Sequence, residues 1–290
     1  MFVKSMPMSQ SAVICVCGAG TMGSGIAQLA AQAGYRTIQF DVQAAMLEKS
    51  RQAITASLDK LAEKGKIAAG DQATILSRIL FTSQLSDCKA NIVIEAIVEK
   101  EEIKAALFND LAALNGSATI LATNTSSISV TALAAHIPHP ERVVGMHFFN
   151  PAQLMKLVEV VKAKDTSDAV VQTISNLAST MGKTAVVCKD APGFIVNRVA
   201  RPYYLEAMRL VEQGLVQPAE ADRLLEATGF KMGPFRLMDL IGMDVNYAVS
   251  NIVWEALGQP ARLTPSALQQ EKVTAGHLGR KTGKGFYDYN

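Results

Sequence analysis

Cysteine is scarce in this chain of 290 residues. Cys15, Cys17, Cys88 and Cys188 form no CxxC pair, and no histidine stands at ligand spacing from them, so no metal site is expected. So little cysteine points to a reducing compartment rather than a disulfide framework. Cys15 and Cys17 lie two apart in an apolar run, share a face on a strand, and read as buried small apolar residues. An excess of one charge is also missing. The 28 Lys and Arg against 26 Asp and Glu leave a net charge of +2, which argues against nucleic acid or a membrane surface as partner. Only small basic patches remain, suited to an anionic small molecule. No apolar run approaches ~20 residues, so no membrane span is expected. Residues 1–10 carry one Lys, no Arg and no apolar stretch, and read as neither a secretory signal nor a transit peptide. The expected location is the cytoplasm.

What the chain does have is 49% hydrophobic residues and a length that suits one large domain or two ordinary ones. Short runs rich in Val and Ile at 12–16, 37–41, 92–96, 120–124, 142–148, 157–161 and 185–188 show little polar alternation. That is the pattern of strands covered on both faces. Amphipathic stretches at 22–32, 44–63, 100–114 and 169–181 lie between them. The repeated β-α-β order predicts an α/β fold of Rossmann type, with a mainly parallel, doubly wound sheet. After Cys188 the turn-like Asp190-Ala191-Pro192-Gly193 ends this pattern. Residues 195–212, 218–227, 234–241 and 245–257 read as helices, with Pro218, Pro234 and Pro265 at candidate helix starts. A terminal strand is expected at 285–289. The predicted domains are 1–188 and an all-α domain at 189–290. Within the latter, Leu205, Met208, Leu210, Val211, Ile241, Val245, Val249 and Ile252 form apolar helix faces that could fill its own core or meet a partner.

Gly18-Ala19-Gly20-Thr21-Met22-Gly23 follows the first strand and opens a helix. The first glycine suits a tight turn, the second a close approach of backbone to a pyrophosphate, the third close packing of helix on strand. The helix N-terminus then presents free N–H groups to the phosphates. Asp41 closes the second strand 18 residues after Gly23, and no Arg stands beside it. A carboxylate there accepts from a ribose 2′-hydroxyl and repels a 2′-phosphate, so NAD is expected rather than NADP.

A nucleotide fold leaves the reaction open. His147 lies at the end of a predicted strand, where doubly wound sheets place their ligands, and Glu159 lies on the next strand. A carboxylate beside an imidazole orients the ring and stabilises its protonated form, which suits proton transfer coupled to hydride transfer. His136 and His139 flank Pro138 in a loop and read as surface residues, and His277 is given no role.

Five separated motifs stand in one order: Gly18–Gly23 with Asp41; Val93-Ile94-Glu95-Ala96-Ile97-Val98-Glu99; Thr123-Asn124-Thr125-Ser126-Ser127; His147-Phe148-Phe149-Asn150-Pro151 with Glu159; and Pro192-Gly193-Phe194-Ile195-Val196-Asn197-Arg198. Together they resemble the L-3-hydroxyacyl-CoA dehydrogenase family in its stand-alone form, which includes 3-hydroxybutyryl-CoA dehydrogenases. The resemblance runs from about Val13 to Tyr289. It implies reversible NAD-dependent oxidation of an acyl-CoA substrate, with His147 as base and Glu159 as its partner. Ser126 would bond the substrate oxygen, Asn197 of the second domain would help hold substrate and His147, and Asn150 would support the same pocket. Glu99 and Lys104 would contact the nicotinamide-side ribose and phosphate. Ser57 and Lys64 would meet the CoA moiety, and Lys281 would approach the cofactor. The resemblance also implies a homodimer through the helical domain.

Plainer readings stand beside these. Ser126 could cap a turn, Glu99 and Lys104 could be ordinary charges of a helix start, and Lys60, Lys64 and Lys66 a solvated face. Met155, Met232 and Met243 are expected in the core rather than along an acyl pocket. The competing functions are a β-hydroxyacid dehydrogenase acting on a free acid, which would use a catalytic lysine, and a lambda-crystallin-like structural protein. The length of the acyl chain is not readable.

Overall fold

The structure, a computed structural model, describes residues 11–68 and 70–289; the reading of residues 1–10 lies outside them. The chain divides into two compact units, one ending at Asp190 and the other beginning at Ala191.

In the first unit the elements follow in the order β1 (Val13–Cys17), α1 (Thr21–Gln32), β2 (Arg36–Phe40), α2 (Ala44–Glu63), α3 (Asp71–Ser77), β3 (Ile79–Thr82), β4 (Ile92–Glu95), α4 (Glu101–Asn115), β5 (Ile120–Thr123), α5 (Val130–Ala134), β6 (Val143–Phe148), β7 (Leu157–Lys162), α6 (Asp168–Thr180) and β8 (Thr184–Lys189). The eight strands form one sheet in the order β3-β2-β1-β4-β5-β6-β7-β8. All neighbours are parallel except β6 and β7, which pair antiparallel. Parallel neighbours need a crossover, which the helices supply, whereas a short loop suffices between β6 and β7. The chain leaves β1 toward β2 on one side and reaches β4 on the other, so a crevice opens at their C-terminal ends, where such sheets bind ligands.

The strands expected in the first unit all form: runs such as Val143–Phe148 are buried along their whole length, whereas β8, expected to be covered on both faces, lies at the sheet edge and is largely exposed. α6 buries Val170, Ile174, Leu177 and Ala178, spaced at helical period, against the sheet residues Val144, Met146, Val158 and Val160. Each such Ile or Leu contributes roughly 1.5–3 kcal/mol by leaving water. Cys15 and Cys17 are fully buried with their sulfurs 3.8 Å apart. α3, β3 and α5 went unread because each is short. β3 is a four-residue edge strand with only its ends buried, and the five-residue α5 starts where the Ser129 hydroxyl accepts from the Ala132 N–H.

The second unit holds α7 (Val196–Glu212), α8 (Pro218–Ala227), α9 (Pro234–Ile241), α10 (Met243–Ala256) and α11 (Ala267–Thr274). No helix among the described residues is long and apolar enough to cross a membrane. Pro218 and Pro234 each open a helix, but Pro265 does not, because Ser266 behind it caps α11 in a box with Gln269. Leu205, Met208 and Val249 enter the core with Phe235 and Met238, while Leu210, Ile241, Val245 and Ile252 keep more than a third of their surface exposed. Met243 is buried in the same core, as expected, but Met155 of the first unit is 43% exposed.

The terminal strand does not form. Only isolated bridges join Lys284 to Gly279 and Asp288. The tail is held by carboxylates instead of a ladder. Asp239 of α9 accepts from the N–H groups of Phe286 (2.9 Å) and Tyr287 (3.0 Å) and from the Tyr289 hydroxyl (3.0 Å). Asp222 of α8 caps α9 through the N–H groups of Phe235 and Arg236 and takes the Tyr287 hydroxyl at 2.7 Å. The tail packs so close that a Cβ on Gly285 would lie 2.1 Å from the Asp239 carboxylate. Replacing Asp239 with Ala strands two N–H groups at about 1–3 kcal/mol each, so thermal unfolding of D239A should begin several degrees lower. An unchanged melting curve would show that the tail is held by other contacts.

Candidate active site

The glycine loop follows β1 into α1. Gly18 has φ 106°, and a Cβ on it would lie 2.5 Å from the Ala96 carbonyl oxygen. A Cβ on Gly23 would lie 2.0 Å from the Gly18 oxygen, so helix and strand approach as expected. A Cβ on Gly20 would meet nothing within 4 Å, so that side of the loop is open to a ligand. Gly20 is also the N-cap of α1, with no side-chain cap and no acid in the first turn. The positive end of the helix is therefore left for an outside anion. Ala19 is buried, while Thr21 is exposed and Met22 half-buried at the mouth of the loop. Asp41 stands one residue beyond β2 rather than closing it. One carboxylate oxygen accepts from the Ala19 N–H (2.8 Å) and the other from the Gln43 N–H (2.9 Å). The acid thus locks the glycine loop to the end of the second strand.

At the end of β4 lies a cluster the sequence did not reveal. Glu95 is fully buried and accepts from Lys104 Nζ (2.6 Å), the Ile97 N–H (2.7 Å) and the Thr123 hydroxyl (2.6 Å). Lys104 is 1% exposed and also pairs with Glu99 at 3.1 Å. Glu99 in turn takes the Thr125 hydroxyl, the Ser126 N–H (3.0 Å) and the Ser127 hydroxyl (3.0 Å). Lys104 was expected to contact a phosphate. Its ammonium instead lies closed between two carboxylates, and Glu99 is the member with an exposed face. Partial burial of Glu99 works against its charge, but Lys104 and the hydrogen bonds outweigh this and hold its carboxyl below 4.5. Glu95, Thr125 and Ser127 were missed as site residues. All three stand at or just past strand ends, inside two of the five motifs, which was the signal that could have found them.

His147 and Glu159 are directly opposed in the antiparallel register of β6 and β7. Nδ1 of the imidazole lies 2.7 Å from Glu159 Oε2, and both residues are buried. The Phe149 ring stands 4.5 Å from the imidazole, and Asn124 accepts from the Phe148 N–H at 2.8 Å, tying the end of β5 to β6. With Nδ1–H donating to the carboxylate, proton exchange with a substrate falls to Nε2, and the carboxylate stabilises the charged ring. Asn150 is exposed at the start of the β6–β7 loop, and Ser126 is half-buried beside Glu99.

Ser57 and Lys64 line a groove of about 640 Å³ with Lys60, Pro151, Leu154 and Met181. Ser57 and Lys60 of α2 and Lys64 at its C-cap recur at helical spacing on one face. Asn197 and Lys281 belong to the second unit. Asn197 lies in the first turn of α7, and the Lys281 ammonium pairs with Asp244 at 2.5 Å. His136 and His139 are exposed, as expected.

The family described as "3-hydroxyacyl-CoA dehydrogenase, NAD binding domain" matches residues 13–191, and its C-terminal domain matches 193–289. The chain is 46% identical to the 3-hydroxyadipyl-CoA dehydrogenase of Escherichia coli (strain K12), over 95% of this chain and 58% of that one. It therefore spans less than two thirds of that relative. It is 38% identical to the 3-hydroxybutyryl-CoA dehydrogenase of Mycobacterium tuberculosis, over 94% of this chain and 97% of the other. The solved structure of an (S)-3-hydroxybutyryl-CoA dehydrogenase from Ralstonia eutropha superposes with TM-score 0.92 at 37% identity, covering 97% and 99% of the two chains.

The depressed carboxyl of Glu99 contributes stability above its unfolded value and loses it as pH falls through the folded value. The difference in melting temperature between wild type and E99Q should be level from neutral pH to about pH 5 and shrink below that. A difference that persists unchanged to about pH 3 would sink this assignment.

Proposed function

The chain belongs to the 3-hydroxyacyl-CoA dehydrogenase family, and from that premise we propose that it reversibly oxidises short-chain L-3-hydroxyacyl-CoA, such as 3-hydroxybutyryl-CoA, with NAD as acceptor. The observation that carries the reading is the buried His147–Glu159 pair at the end of the sheet, 2.7 Å across. When bound, NAD supplies the acceptor for the hydride that leaves C3. The residues fit the cofactor: the loop is open at Gly20, the α1 N-terminus is uncapped, and Asp41 opposes a 2′-phosphate. In oxidation, His147 Nε2 takes the proton of the substrate hydroxyl, and Glu159 steadies the imidazolium. In reduction the same ring returns it, so the two directions need opposite protonation states. An imidazole at this position, rather than a lysine, favours the thioester reading over the free-acid one.

Glu99 and Ser126 border the nicotinamide side in this reading, with Lys104 fixing Glu99 from behind. Ser57 and Lys64 take the CoA phosphates. The second unit exposes Val199, Leu215, Leu224 and Phe230, each at least half exposed, which supports a second copy of the chain as their partner. Four free thiols suit the reducing cytoplasm.

NADH consumption should be fast with acetoacetyl-CoA and negligible with free acetoacetate; equal rates would remove the thioester reading. H147Q should lower kcat by about 10²–10⁴-fold with NAD affinity nearly unchanged. Near-normal turnover would take His147 out of the mechanism. D41A should weaken NAD far more than NADP in a fluorescence titration, and an unchanged preference would refute the role of this carboxylate.

A further inference from the structure

Lys183 has no part in the reaction described above, yet it is a buried cation beside the groove. It stands between α6 and β8 and is 8% exposed. Its ammonium donates to three backbone carbonyls, those of Ala152 (2.5 Å), Met155 (2.9 Å) and Gln153 (3.4 Å). Among the described residues no carboxylate lies within ion-pair distance of it. Desolvation without an anionic partner holds its pKa below 10.5. A lysine costs more to bury here than an apolar residue of the same length, so the gain must come from the three oxygens it gathers. An ammonium suits them, since it carries three donors that rotate to convergent acceptors, whereas a guanidinium presents a flat fork.

Those oxygens belong to residues 149–156, the connection between the His147 strand and the Glu159 strand. Its backbone bonds are few: the Leu154 and Met155 N–H groups both donate to the Pro151 oxygen at 3.0 Å, and at its far end the Lys156 oxygen accepts from the Thr184 N–H at 2.7 Å. One side chain is also tethered, with Gln153 Nε2 donating to Gln28 Oε1 at 3.3 Å. The segment nevertheless forms a wall of the groove. Pro151, Gln153 and Leu154 line it, as do Met181 and Gly182 just before Lys183, while Ser57, Lys60 and Lys64 line it from α2. Leu154 is 72% exposed, an apolar side chain held in the open. The groove thus pairs two cations with an apolar wall, and the ammonium of Lys183 keeps that wall in place from behind.

We propose that Lys183 is a positioning residue for the CoA-bearing substrate. It sets the affinity of the groove by holding residues 152–155, without touching substrate or cofactor. The inference rests on reading the groove as the CoA site. The test compares K183M with wild type on acetoacetyl-CoA and on the acetoacetyl thioester of N-acetylcysteamine, which lacks the nucleotide and most of the pantetheine. We expect KM for acetoacetyl-CoA to rise roughly tenfold in K183M. The KM for the short thioester, kcat at saturation and the Kd for NADH should stay within about twofold. Should K183M fail to fold, K183R carries the test. It keeps the charge but loses the three-way geometry, and the same split is expected in smaller measure. An equal loss on both thioesters, or no loss on either, overturns the positioning role while leaving the CoA site intact. A wild-type enzyme that does not prefer acetoacetyl-CoA over the short thioester overturns the CoA reading of the groove and this inference with it.

Discussion

The site depends on one pairing: β6 and β7 run antiparallel in a sheet that is otherwise parallel. In an antiparallel pair, residues directly opposite point to the same face with their Cβ atoms in reach of each other. That puts an imidazole and a carboxylate at hydrogen-bond distance inside a buried ladder, with no flexible loop needed to bring them together. A slip of one residue would turn the carboxylate to the other face. Burial of the flanking Met146, Phe148, Val158 and Val160 specifies the register, so core packing and the geometry of the proton-transfer pair are one constraint.

The neighbouring strand ends are held by charge. Glu95, Lys104 and Glu99 join β4, α4 and the loop after β5 in a buried network whose polar atoms are satisfied by Thr123, Thr125, Ser126 and Ser127. Such a network adds little net stability over apolar packing, but losing one partner is costly. Its consequence is rigidity at the crevice where the glycine loop and the His147 strand also end. Asp41 does the same for the glycine loop through two backbone N–H groups, and Lys183 for the β6–β7 loop through three carbonyls. Each device uses a charged side chain to fix backbone that has no ladder of its own.

Much of this was legible in the chain. The inner strands of the first unit appear as apolar runs because both faces are covered, and four of its helices as 3.6-residue periods because one face is. Short elements such as β3 and α5 escaped, since four or five residues carry too little pattern. The terminal segment misled for another reason. Closely spaced aromatic residues look like a strand, but the backbone donors of Phe286 and Tyr287 go to Asp239, which lies 47 and 48 residues earlier. Lys104 reads as a contact to the cofactor's ribose and phosphate, because nothing local marks the buried Glu95 that encloses its ammonium.

By itself the sequence determined what depends on neighbours along the chain: the glycine loop that only residues without a Cβ can build, the alternation of strand and helix, the proline at the start of α8 and α9, and the family to which its motifs belong. Only the tertiary structure decided what depends on partners brought from afar. Those are the register that faces His147 with Glu159, the enclosure of Lys104, the pinning of the tail by Asp222 and Asp239, and the carbonyl cage of Lys183. Backbone preferences act over a few residues and leave a readable pattern, whereas a buried charge takes its meaning from whichever groups the folded core places around it.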